Sequence, residues 1–152
     1  MPLEGTICHI FDDKRILLKK ASRAISKGKW NGPGGKIEPG ETPEESAKRE
    51  VLEETNLSVK DLKRHGVINF YNDGGEEVSF IVHVFSTNNF TGEIVSTEEG
   101  EVKWFDRNKM PRNEMWDDDN YWLQLVLDGR KFDADFYIDK DKMVWKYSII
   151  FR

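Results

Sequence analysis

Glu50, Glu53 and Glu54 are three carboxylates at helical spacing, three and four residues apart, and so share one narrow helix face. Like charges at that spacing repel by about 0.2–0.5 kcal/mol per pair. A hard divalent cation, Mg²⁺ with Mn²⁺ as a possible substitute, would offset this repulsion because it takes oxygen ligands. A solvated acidic face is the alternative reading. Two neighbours favour the cation. Arg49 stands beside the cluster and can orient a carboxylate through charge-assisted hydrogen bonds. Gly34 and Gly35 lie just upstream, where missing side chains let a bulky anion or a metal approach the backbone.

The charge of the chain is concentrated here. Glu38 to Glu54 holds seven acids and two bases, which accounts for the whole net charge of −5. The remaining residues are neutral, so duplex nucleic acid, which is bound through basic patches, is not an expected partner. At 152 residues the chain is read as one domain, 1–152. Its single cysteine, Cys8, excludes an intrachain disulfide and a Cys-rich zinc site. The longest strongly apolar stretch, Phe80 to Phe85, is too short to span a membrane. The start has neither the basic end nor the apolar run of a signal peptide, so the expected compartment is the cytosol.

The glutamates must be positioned by a helix. Thr42 as N-cap, Pro43 at the first position and Glu45 closing a capping box predict its start, and Asn56 its left-handed end. On its far side Val51, Leu52 and Thr55 should be buried. Upstream, Leu3–Phe11 and Arg15–Lys19 read as a β-hairpin, and Lys27–Gly40 as a long shaped loop. Downstream strands are expected at Leu57–Val59, Gly66–Tyr71, Val78–Phe85 and Glu101–Phe105, with Asp106 capping a brief helical turn. A second helix follows Trp116-Asp117-Asp118-Asp119, with Trp122, Leu123, Val126 and Leu127 as its buried stripe and Gly129 as its stop. Period-two alternation through Phe132–Ile138 and Met143–Phe151 predicts a closing hairpin. The sum is an α+β domain with a mixed sheet. His9, His65 and His83 show no metal-ligand spacing and read as ordinary surface or strand histidines.

Gly35, five residues, Glu41, seven residues, then Arg49-Glu50-Val51-Leu52-Glu53-Glu54-Thr55-Asn56-Leu57 resembles the Nudix box, G-x5-E-x7-R-E-U-x-E-E-x-G-U with U apolar. Over residues 35–57 every fixed position matches except the last glycine, here Asn56, which tolerates the same left-handed conformation. The resemblance implies a Nudix-type α/β/α sandwich around a mixed central sheet. It also implies hydrolysis of a nucleoside diphosphate linked to another moiety. Glu50, Glu53 and Glu54 are then metal ligands together with the Gly35 carbonyl, Glu53 or Glu50 acts as base, and Arg49, partnered by Glu41, orients them. Glu99, before the Trp104 strand, matches the place of a further metal carboxylate, or is one acid of a solvated turn.

Outside the box, Lys29–Lys36 and Met115–Trp122 are similar to the MutT-type branch that sanitises oxidised purine nucleoside triphosphates such as 8-oxo-dGTP. That similarity implies a base pocket made by Asn31, Trp116, Asp118 and Asp119, with Phe70 flanking the base. The products would be the monophosphate and pyrophosphate. Each residue has a second reading: Asn31 as a loop anchor, Trp116 and Phe70 as core, the aspartates as a helix cap. The chain departs from the branch between Lys20 and Lys27, where Ile25 replaces an aromatic, and at Glu99-Gly100-Glu101. Two other functions share the fold. One, beside the alternative of hydrolysing another nucleoside diphosphate derivative, is non-catalytic nucleotide sensing, which usually comes with a degraded box, whereas Glu50, Glu53 and Glu54 are all present here. The other is an isopentenyl-diphosphate isomerase, which needs a catalytic cysteine, whereas Cys8 reads as a small buried strand residue.

Overall fold

The computed structural model describes residues 2–21, 28–98 and 100–152. The strands in chain order are β1 (Leu3–Ile10), β2 (Arg15–Ala21), β3 (Trp30–Asn31), β4 (Gly34–Lys36), β5 (Ser58–Lys60), β6 (Lys63–Asn72), β7 (Phe80–Thr87), β8 (Asn89–Thr91), β9 (Gly100–Asp106), β10 (Phe132–Ile138) and β11 (Val144–Phe151). The helix α1 (Pro43–Thr55) lies between β4 and β5, and α2 (Asp119–Leu127) between β9 and β10. Six strands form a mixed sheet in the order β11-β10-β6-β7-β1-β4, with β1/β7 and β6/β10 parallel. A second sheet, β3-β2-β9, is antiparallel.

Alternation decides which helix each strand meets. Ile7, Ile68, Val84 and Phe136 pack with Trp122, Leu123 and Val126 of α2. Cys8, Ile10 and Phe85 point the other way, onto Ala47 and Val51 of α1. The run Ile16-Leu17-Leu18 is buried throughout because its neighbours alternate between these two cores. The result is the expected α/β/α layering.

Several expectations need correction. The Asp12–Arg15 turn forms, with a bridge between Phe11 and Ile16, but the predicted hairpin goes no further. β1 instead pairs with β7 and β4, and β2 joins the other sheet with β3 and β9. The predicted loop 27–40 contains two short strands, β3 and β4. Gly34 is needed there, since a Cβ would lie 2.0 Å from the Thr6 carbonyl oxygen. Leu52 is 49% exposed rather than buried, as the underside of α1 rests on Ala47, Val51 and Thr55. The closing hairpin forms, yet Trp145, Tyr147 and Phe151 of β11 stay at least half exposed because β11 is an edge strand. His9 in β1 and His65 in β6 are strand histidines as expected, both fully buried, His65 between Ser86 Oγ and the Arg130 carbonyl at 2.6 Å each.

Candidate active site

The start of α1 is built as its sequence dictates. Thr42 Oγ1 accepts the Glu45 N–H at 3.1 Å, and Glu45 accepts the Thr42 N–H at 2.9 Å. Asn56 ends the helix with φ 70°, the left-handed conformation expected of it. Between these caps Arg49 gathers the acids. Its Nε and Nη2 donate to both Glu41 oxygens at 2.6 and 2.9 Å, and Nη1 donates to Glu50 at 2.7 Å and Glu53 at 3.2 Å. Nη2 also donates to the Lys36 carbonyl at 3.1 Å, which ties the helix to the end of β4. The guanidinium holds the Glu41 carboxyl down to about 2, and the carboxylates in turn raise the Arg49 pKa further above its ordinary range.

The three glutamates are graded in depth. Glu54 is 3% exposed, while the side chains of Glu50 and Glu53 are 14% and 52% exposed. Glu54 accepts the Gly34 N–H at 3.1 Å and meets the Lys19 ammonium at 3.2 Å. Burial pushes its pKa up to about 8 even though Lys19 pulls the other way, and neighbouring Glu50 adds to the rise. Gly35 lies against Glu50, where a Cβ would fall 2.7 Å from the carboxyl carbon. Among the described residues no three acids or histidines converge as a ready metal cage. Arg49 and Lys19 hold the carboxylates instead. The donors nevertheless fit a hard cation: oxygen ligands only, drawn together against local repulsion, facing backbone that a side chain would obstruct. Glu99 lies outside the described residues, as does Ile25.

A cavity of about 380 Å³ is lined by Asn31, Phe70, Trp116, Asp118, Asp119 and Trp122, among others. It therefore brings together all five residues expected to hold the base. Asn31 Oδ1 accepts the Gly32 N–H at 2.9 Å, so Asn31 anchors its loop and also faces the cavity. Phe70 lines the cavity while stacking on Phe136 at 6.0 Å. The Lys29 ammonium lies 5.4 Å from the centre of the Trp116 ring.

The three aspartates act differently from a simple cap. Asp117 accepts the Val144 N–H at 2.8 Å, tying the helix entry to β11. Asp118 stands at the N-cap position with helical backbone and no capping bond, and accepts instead the Trp122 Nε1–H at 2.8 Å. Asp119 is buried, with Oδ2 unpartnered among the described residues. Burial pushes Asp118 up to about 6 against the pull of Trp122. It pushes Asp119 well above the usual carboxylate range, and neighbouring Asp118 adds to that rise.

Sequence reasoning missed Lys19 and the second role of Trp122. For Lys19 a signal existed: it follows Leu17 at period two, on the side of β2 that faces α1. Trp122 read as plain helix stripe, yet it lines the cavity and orients Asp118. Cys8 is fully buried and its thiol is pushed up to about 12 by burial, so it offers no thiolate for isomerase chemistry.

Comparison with known proteins agrees with this architecture. The chain is 38% identical over 144 residues to the oxidized purine nucleoside triphosphate hydrolase of Mus musculus, covering 95% of this chain and 92% of the relative. The Danio rerio protein of the same name is 40% identical over 127 residues, covering 84% and 81%. Among solved structures, a MutT protein from Bacillus halodurans superposes with a TM-score of 0.84 at 25% identity, covering 97% of both chains. The NUDIX domain model matches residues 1–126, and the chain belongs to the Nudix family.

Proposed function

We propose that this chain is a Mg²⁺-dependent pyrophosphohydrolase that cleaves oxidised purine nucleoside triphosphates, such as 8-oxo-dGTP, to the monophosphate and pyrophosphate, with Mn²⁺ as a possible substitute. The observation that carries the substrate is the Asp118–Asp119 pair, one half-buried and one buried carboxyl with raised pKa values that line a largely apolar cavity. Protonated Asp119 donates to a base acceptor while the other carboxylate accepts from a base N–H. An oxidised purine gains a carbonyl and an N–H on its five-membered ring, the groups such a pair can read. A base lacking them leaves buried polar atoms unpaired, which discriminates by orders of magnitude. Trp116 supplies the stacking face and Asn31 a donor and an acceptor.

Glu50, Glu53 and Glu54, with the Gly35 carbonyl and Glu99, would hold the cation. When bound, it supplies positive charge to the phosphate oxygens, where negative charge grows in the transition state. Arg49 fixes the rotamers of Glu50 and Glu53. Glu53, the most solvent-accessible of the three, accepts the proton of the attacking water. Duplex nucleic acid is no part of this reading. Among the described residues no helix is long and apolar enough to cross a membrane. Action on the nucleotide pool of the cytosol belongs to the same proposal.

The test is the kcat/KM ratio for 8-oxo-dGTP over dGTP with Mg²⁺, in the wild type and in Asp118→Ala and Asp119→Ala. The ratio should favour the oxidised base and collapse in both variants. A wild type without preference would move the substrate elsewhere in the family. Metal-independent binding without turnover would favour a sensor.

A further inference from the structure

Lys19 stands between the two halves of the site. In β2 it lies opposite Asn31 of β3 in register, and Asn31 lines the base cavity. Its ammonium meets Glu54 Oε1 at 3.2 Å, the same oxygen that takes the Gly34 N–H. Lys19 thus touches one glutamate of the cluster while its register partner lines the cavity, so it links the two features a nucleotide would span. Without a cation at Glu54, the ammonium is held against a buried carboxyl, its close acidic partner among the described residues. It carries three donors on a flexible four-carbon stem, so one ammonium can serve two anions.

We propose that Lys19 is a substrate-binding residue that holds the phosphate nearest the sugar. It shares its ammonium between Glu54 and a non-bridging phosphate oxygen in the metal-free protein, and turns wholly to the phosphate once a cation occupies Glu54. This rests on the nucleotide reading above. A base–phosphate ruler follows: Asn31 fixes one end of the substrate, and the lysine facing it across β2 and β3 fixes the first phosphate.

Calorimetric titration in EDTA, with 8-oxo-2′-deoxyguanosine and with its 5′-monophosphate, tests this without turnover. Lys19→Met should weaken monophosphate binding about 10- to 100-fold, the range for a lost hydrogen bond to a charged group. Nucleoside affinity should stay within about twofold, which also shows that the variant is folded, and Lys19→Arg should recover most of the loss. If Lys19 acted only by neutralising Glu54, the double variant Lys19→Met/Glu54→Gln would regain the monophosphate affinity; regain overturns the proposal, and continued loss supports it. Unchanged monophosphate affinity in Lys19→Met, with the nucleoside still bound, overturns the proposal alone. A wild type that binds neither compound overturns the nucleotide reading and this proposal with it.

Discussion

Trp122 donates its indole N–H to Asp118 Oδ2 at 2.8 Å, one helical turn away, so the tryptophan that packs the α2 core also aims a carboxylate that lines the cavity. Trp122 thus belongs both to the core and to the wall of the proposed base pocket. Trp122→Phe keeps an aromatic ring and removes the donor. The expected loss in kcat/KM for 8-oxo-dGTP is about tenfold, matching about 1.5 kcal/mol for a hydrogen bond to a charged group. Turnover of dGTP should change less, and steady-state kinetics on both nucleotides decide the point.

Glu53→Gln removes the accessible carboxylate of the cluster and should cut kcat by about 10²–10⁴-fold, the usual range for a lost acid–base group. The melting temperature should hold or rise slightly, because α1 loses a like-charge neighbour. Near-normal turnover would return the cluster to a solvated acidic face.

Gly35→Ala probes the opposite wall. The new Cβ would sit 2.7 Å from the Glu50 carboxyl carbon, so Glu50 must move away from Arg49. Because that carboxylate is the free end of a flexible side chain, the loss of stability should be small. Activity should fall well beyond what that loss of stability explains, measured as kcat at a temperature where the variant is fully folded.

Asp119→Asn addresses the raised carboxyl. The native state keeps the Asp119 proton at pH values where the unfolded chain has released it. By linkage, stability falls as pH rises from the ordinary Asp range towards the raised pKa. Asparagine cannot ionise. The variant should therefore match the wild type near pH 4 and gain on it steadily towards pH 8 in thermal melts. A pH-independent difference would show that Asp119 is already ionised in the native protein.

The acidic helix was legible in the residues themselves. Thr42, Pro43, Glu45 and Asn56 mark its ends through bonds spanning a few residues, and helical period alone places Glu50, Glu53 and Glu54 together beside Arg49. Such contacts are local, so spacing and residue type suffice. Depth is different: Glu53 and Glu54 are chain neighbours, yet one is half exposed and the other buried against β2 and β4. The Lys19–Glu54 pair, the burial of His9 and the departure of β2 from β1 into another sheet were also decided by tertiary structure. So was the choice of Asp118 to bond Trp122 rather than cap its helix. Burial and long-range pairing depend on which surfaces the whole chain brings together, and no window of sequence contains that.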